Sequence, residues 1–473
     1  MVRTSARSVP LHASDSLEVP VRVTAGIPLS GRRRPHPSVV DQPHAAWPGY
    51  WPPPDGRYDV PATWREIIDS AVTVGRDPSP WLSRYPALAT NELLARVAPL
   101  AAYLHHDGLS SPAKLRASPV YSLGAERSAQ GAMAYRLGMT MAEWVARSLI
   151  GLPATTHHED AQPTGAGSEW FGPGRRPDLW SEDPRRSPAV WSIEAKAARR
   201  LAQRNMREGA EQLASLNSSV LPVSHSRVLV GTSIDDRLFT LVEHEVREQR
   251  AAAADGDTAT RLFNVARARL IIYLFLRAQG YERLRTVTVA RADEEARFSE
   301  TDDLTREVRG ALRDRLHVEA RGPLPPDLAP RSTEFLTSGV PGTGLRVGLS
   351  PGLFRACQGL LATLQNTAAE VATERPDWAK YGDQIQRVHP ARFDLSEEAE
   401  AERVAEFKEA VDQRTRSQRG RLVTDYELGA REGVAILDYP ERENVTGNLE
   451  MYSHDIYVAL DPDSVLMGPL RRA

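Results

Sequence analysis

Cysteine is almost absent, Cys357 being the only one in 473 residues. That excludes an intramolecular disulfide and any multi-cysteine zinc site, and it suits a reducing compartment. Long apolar runs are also missing. The longest, residues 270–276, is far too short to span a bilayer, and no N-terminal stretch resembles a signal peptide. The expectation is a cytoplasmic protein with no membrane partner. A strong charge of one sign is lacking too, with a net charge of −3, so any nucleic-acid surface must be local. Lysine is scarce: the 59 basic residues include only Lys114, Lys196, Lys380 and Lys408. The preference for Arg, with abundant Ala, points to a high-GC bacterial genome.

What is present is ordinary for a globular protein: 41% hydrophobic and 26% charged residues. The length allows two or three domains. Residues 1–60 hold ten of the 35 prolines and read as an arm. Within it Leu17, Val19, Val21 and Val23 alternate as a strand, which Pro20 would place at a sheet edge. Residues 61–118 read as a helical lead-in, opened by a Thr63/Glu66 capping box. Residues 119–250 read as helix, strands, helix and strand, an α/β core with a central mixed sheet flanked by helices. Residues 251–330 add an amphipathic helix, a strand and a Pro-rich linker. Residues 331–473 read as a C-terminal α+β domain, suited to a partner protein or to homo-oligomerisation and without a catalytic constellation.

One stretch, residues 175–196, combines residue type, spacing and local structure. Pro184 and Pro188 bound a run too short for an independent helix but right for a strand. In a strand, Val190, Ser192, Glu194 and Lys196 share one face while Trp191, Ile193 and Ala195 share the other. A carboxylate and an ammonium thus stand side by side. Upstream, Pro177-Asp178 leads into a neighbouring strand that brings a second carboxylate within reach. Two carboxylates without sulfur or imidazole make a hard oxygen site for Mg²⁺ or Mn²⁺. Between Arg175 and Arg207 nine residues are basic and four acidic. Arg175, Arg176, Arg199, Arg200 and Arg204 are accordingly candidates for phosphate-backbone contacts.

Pro177-Asp178 followed by Glu194-Ala195-Lys196 resembles the signature of the PD-(D/E)XK, or restriction-endonuclease-like, nuclease superfamily. The resemblance implies metal-dependent hydrolysis of phosphodiester bonds, of DNA rather than RNA. It implies that Asp178 and Glu194 bind the metal, and that Lys196 orients or activates the attacking water. It further implies an acidic residue on a preceding helix and a glutamine on the following one. Gln212 takes the second role. For the first, Glu143 has a capping role already, which leaves Glu126, one turn before Gln130.

The pattern alone occurs twice. A second Glu-x-Lys, Glu406 to Lys408, follows Pro376-Asp377. It lies in a polar helical segment, where residues two apart face nearly opposite ways, so it cannot form the site. Two alternatives stand beside the nuclease. In the first, Gly138 breaks residues 125–150 into two helices, Thr140 and Glu143 cap the second, and the pair acts as a helix-turn-helix in a non-enzymatic DNA-binding or regulatory protein. In the second, a degenerate nuclease fold serves as an interaction module. His157, His158, Glu159 and Asp160 are consecutive and read as a polar loop.

Overall fold

A computed structural model describes residues 16–25, 44–78, 82, 87–106, 114–152, 154–160, 176–183, 188–215, 225–234, 237–247, 258–279, 284–290, 332–340, 345–375, 398–432, 442–443, 450–452 and 456–460. The fold is α/β, with a large mixed sheet flanked by helices. Its eight strands are β1 (Ser16–Ala25), β2 (Ala45–Ala46), β3 (Gly56–Thr63), β6 (Thr156–His157), β7 (Leu179–Glu182), β8 (Val190–Ala198), β9 (His225–Ile234) and β10 (Leu238–Arg247), in the order β2-β3-β1-β10-β9-β8-β7-β6. Pairs β2/β3, β1/β10 and β8/β9 are parallel and the others antiparallel. Two short strands, β4 (Leu104–His106) and β5 (Leu115–Ala117), form a separate ribbon.

The helices around this sheet are α1 (Trp64–Thr73), α2 (Ala87–Tyr103), α3 (Arg127–Trp144) and α4 (Gln203–Ala214). Helix α1 starts at the capping box that its sequence encodes: the Thr63 N–H donates to Glu66 Oε2 at 2.6 Å and the Glu66 N–H to Thr63 Oγ1 at 3.2 Å. The two faces of β8 are covered by different helices. A Cβ added to Gly138 of α3 would stand 2.9 Å from Ala197 Cβ, whereas one added to Gly209 of α4 would stand 3.2 Å from both Glu194 Cγ and Lys196 Cγ. The alternation read from the sequence therefore sorts β8 as expected, with Glu194 and Lys196 under α4.

Gly138 does not divide two helices. Arg127–Trp144 is one continuous helix that runs on into a π turn, Val145–Leu149, and the Thr140 hydroxyl donates back to the Arg136 carbonyl at 2.8 Å instead of capping. The glycine is there because α3 lies close on β8, not because the chain turns. The run from Met139 to Ala146 is buried, Glu143 included. That geometry removes the helix-turn-helix pair.

The described part of the N-terminal segment is likewise not a separate arm. β1 is an interior strand, parallel to β10 and antiparallel to β3, and Leu17, Val19, Val21 and Val23 are buried. Pro20 removes a single ladder donor, and burial of the opposite face, Leu17, Val19, Val21 and Val23, outweighs that loss. Trp51 then packs on His244 of β10 at 5.4 Å between ring centroids.

A second sheet has six strands: β11 (Arg285–Ala290), β12 (Ser332–Gly339), β13 (Leu345–Leu349), β14 (Arg442–Glu443), β15 (Glu450–Tyr452) and β16 (Ile456–Leu460), in the order β14-β11-β12-β13-β16-β15. The helices α5 (Thr258–Gln279), α6 (Pro351–Glu374), α7 (Glu398–Ser417) and α8 (Gly420–Glu432) accompany it. Helix α5 is not amphipathic as expected: its whole 270–276 run is buried, and Arg267 and Arg269 are buried with it. Among the described residues no helix is long and apolar enough to cross a membrane. The Pro-rich linker at residues 323–330 lies outside the described residues.

Candidate active site

The antiparallel register of β7 and β8, Leu179 opposite Ile193 and Trp180 opposite Ser192, puts Asp178 opposite Glu194. Each carboxyl is held by the other's strand. The Asp178 N–H donates to Glu194 Oε2 at 3.1 Å, and the Ala195 N–H donates to Asp178 Oδ2 at 2.9 Å. The Lys196 ammonium donates to Glu194 Oε1 and to Gln212 Oε1. Gln212 in turn donates through Nε2 to the Arg176 carbonyl at 3.3 Å. Four residues read from the sequence, Asp178, Glu194, Lys196 and Gln212, therefore meet at one place.

Glu194 is fully buried, while 20% of the Lys196 side chain is exposed, so the centre has one open side. Burial, then the nearby Asp178, push the Glu194 carboxyl up to about 8 against the opposing pull of Lys196. Burial also raises Asp178, opposed by the Ala195 N–H and by Lys196. Near neutral pH the pair therefore retains a proton, and a cation is the natural replacement for it. Among the described residues no group of three His, Cys, Asp or Glu side chains converges on a metal position. Two carboxylates suffice for Mg²⁺, which keeps several waters and commonly takes the rest of its shell from substrate phosphate.

Glu126 is not brought to the pair. It is the exposed N-cap of α3, twelve residues and hence about 18 Å along the axis from Gly138, where that helix crosses β8. Glu143, read from the sequence as a capping residue, is fully buried and accepts from the Thr155 hydroxyl. Burial raises its carboxyl, with Arg147 opposing. Arg176, Arg199, Arg200 and Arg204 are exposed near the ends of the site strands and on α4. Arg175 lies outside the described residues.

His157, His158 and Asp160, read with Glu159 as a polar loop, are instead buried in the site's wall. His157 is in β6 beside β7, and its charge bears on Asp178. The His158 N–H donates to the Asp178 carbonyl at 2.8 Å. Burial, then Arg176, push the His158 imidazole down to about 3, so it is neutral. Nothing local in the sequence signals this, because the β6–β7 pairing spans more than twenty residues.

Gly209 is a further residue that the sequence reading passed over. Alanine in a helix is favoured over glycine by about 1 kcal/mol. Here a Cβ would come within 2.5 Å of Leu229 Cδ1 and press on Glu194 and Lys196, and overpacking of this kind costs about 1–3 kcal/mol. Gly209→Ala is therefore expected to lower the urea midpoint; a raised midpoint would show that α4 does not lie this close. No family model matches the sequence, and neither a curated protein nor a solved structure matches it.

Proposed function

We propose that the chain is a metal-dependent nuclease of the PD-(D/E)XK type that hydrolyses phosphodiester bonds of DNA. The observation that carries this reading is the meeting of Asp178 and Glu194 across β7 and β8, with Lys196 donating to both Glu194 and Gln212. The order α3, β6, β7, β8, α4, β9, with β8 parallel to β9, supports a restriction-endonuclease-like core.

Asp178 and Glu194 would hold Mg²⁺ or Mn²⁺, which when bound lowers the pKa of a coordinated water and neutralises charge on the phosphate. Lys196, a compact ammonium fixed between Glu194 and Gln212, orients the attacking water and stabilises charge beside it. Gln212 sets the rotamer of Lys196 and is itself tethered to the Arg176 carbonyl. The exposed Arg176, Arg199, Arg200 and Arg204 hold the backbone on either side of the scissile phosphate. Phosphate-backbone binding of this kind weakens as salt rises.

The test is nicking of supercoiled plasmid by the purified chain with Mg²⁺ or Mn²⁺ added. Nicking that a chelator stops, leaving 5′-phosphate ends, supports the reading. A folded protein that cuts neither duplex DNA, single-stranded DNA nor RNA with either metal overturns it.

A further inference from the structure

The second Glu-x-Lys is helical, as its sequence indicates, and its two residues part company. Glu406 is about half exposed and faces Arg375, whereas Lys408 turns inward to form an ion pair with Asp160. The Asp160 side chain is fully buried and Lys408 retains 13% exposure. The Asp77 N–H also donates to Asp160, at 2.6 Å, and Arg76 stands 3.8 Å away. One helical turn further along α7, both carboxylate oxygens of Asp412 accept from Nη2 of Arg267 of α5, at 3.0 and 3.1 Å. Arg267 Nε also donates to Asp77 at 3.2 Å. Helix α7 is thus fastened at two points on one face to the elements beside the candidate site.

Asp160 ends a short segment whose other end is part of that site. Thr156 and His157 pair with Trp180 and Leu179, and the His158 N–H holds the Asp178 carbonyl. Only one residue separates His158, which makes the Asp178 contact, from the carboxylate that Lys408 grips. Burial alone would raise the Asp160 carboxyl, but Lys408, then Arg267, hold it below its ordinary value, so the pair is ionic.

We propose that Lys408 is a positioning residue for Asp178: through Asp160 it fixes the 156–160 segment against which the Asp178 main chain is held, so that helix α7 of the C-terminal region sets the geometry of the candidate site. Its consequence for turnover rests on the nuclease reading; the positioning itself does not.

The experiment uses the full chain and the variants Asp160→Asn, Lys408→Gln and Asp160→Asn/Lys408→Gln. Asparagine keeps an oxygen for the Asp77 N–H, and the double variant leaves neither charge of the pair buried alone, which keeps it folded. Hydrogen exchange is followed at the Asp178 and Ala195 amides, with Leu336 and Val347 of the second sheet as internal references. Nicking is measured in parallel, with kcat and KM for DNA separated. Loss of a supporting contact of this kind costs about 10–100-fold. Each variant should speed exchange at Asp178 and Ala195 by about tenfold or more, without altering the two references. It should lower kcat by a similar factor at constant KM, and the double variant should be no worse than the worse single one. Exchange at the two amides that moves no more than at the references overturns the proposal, as does faster exchange with an unaltered kcat. A wild-type protein that cuts nothing refutes the nuclease reading instead, and the exchange ratio then decides the positioning by itself.

Discussion

Asp178→Asn or Glu194→Gln is expected to lower kcat for DNA cleavage by on the order of 10³-fold, since metal-centred charge stabilisation contributes several kcal/mol. Both replacements leave an oxygen for the amide that each carboxyl accepts from, Ala195 N–H and Asp178 N–H respectively. The loss should therefore be chemical, not a failure to fold. Glu194→Gln should also change how stability depends on pH. The wild-type carboxyl has a folded value of about 8 against an ordinary 4.5. Between those values the folded protein keeps a proton that the unfolded chain has released, so stability falls as pH rises through the window and is level outside it. Glutamine cannot ionise and removes that slope. Thermal denaturation at the two ends of the window, beside cleavage assays, reads both effects. Either variant retaining more than about a tenth of wild-type kcat would contradict a metal-ligand role.

Asp69→Ala is expected to destabilise the protein by about 3–5 kcal/mol, the cost of stranding buried ionic partners. The Asp69 side chain is 4% exposed and meets Arg147 at 2.6 Å and Arg269 at 2.7 and 3.2 Å. Burial would raise its carboxyl, but Arg147 and then Arg269 outweigh that and hold it below the ordinary value. Arg269 is buried in the middle of α5, and Arg147 lies in the π turn that follows α3. One carboxylate of α1 therefore ties together a lead-in helix, a helix of the main sheet and the extension helix. Without it, two guanidinium groups lose their shared partner, and Glu143, whose charge also bears on both, is itself raised by burial. Urea unfolding measures the loss, and a change under about 1 kcal/mol would show that this network is dispensable.

Local rules made parts of this protein legible. The prolines around residues 184–188 and the alternation of β8 gave the face that Glu194 and Lys196 share, and the Thr63/Glu66 box gave the start of α1. Helical geometry likewise separated Glu406 from Lys408. What the sequence did not disclose depends on elements far apart in the chain. Gly138 looked like a break because a glycine inside a helix is costly; Ala197, almost sixty residues away, supplies the reason for it. Pro20 suggested an edge strand, yet β10 covers that side from more than 200 residues downstream. Glu126 was chosen for its place one turn before Gln130, which says nothing about how far that end of the helix lies from the sheet residues that matter. The destination of Lys408 was equally hidden, since polar helix composition reads as solvated whether or not one lysine finds a buried aspartate.

Calorimetry of Mn²⁺ binding at pH values below and above about 8 distinguishes a metal centre from a buried polar pair. The nuclease reading requires one site that vanishes in Asp178→Ala/Glu194→Ala. Binding should release about one proton below that pH, with affinity rising roughly tenfold per pH unit and levelling off above it. Binding that survives in the double variant, or no binding at any pH, would mean that Asp178 and Glu194 are not a metal centre.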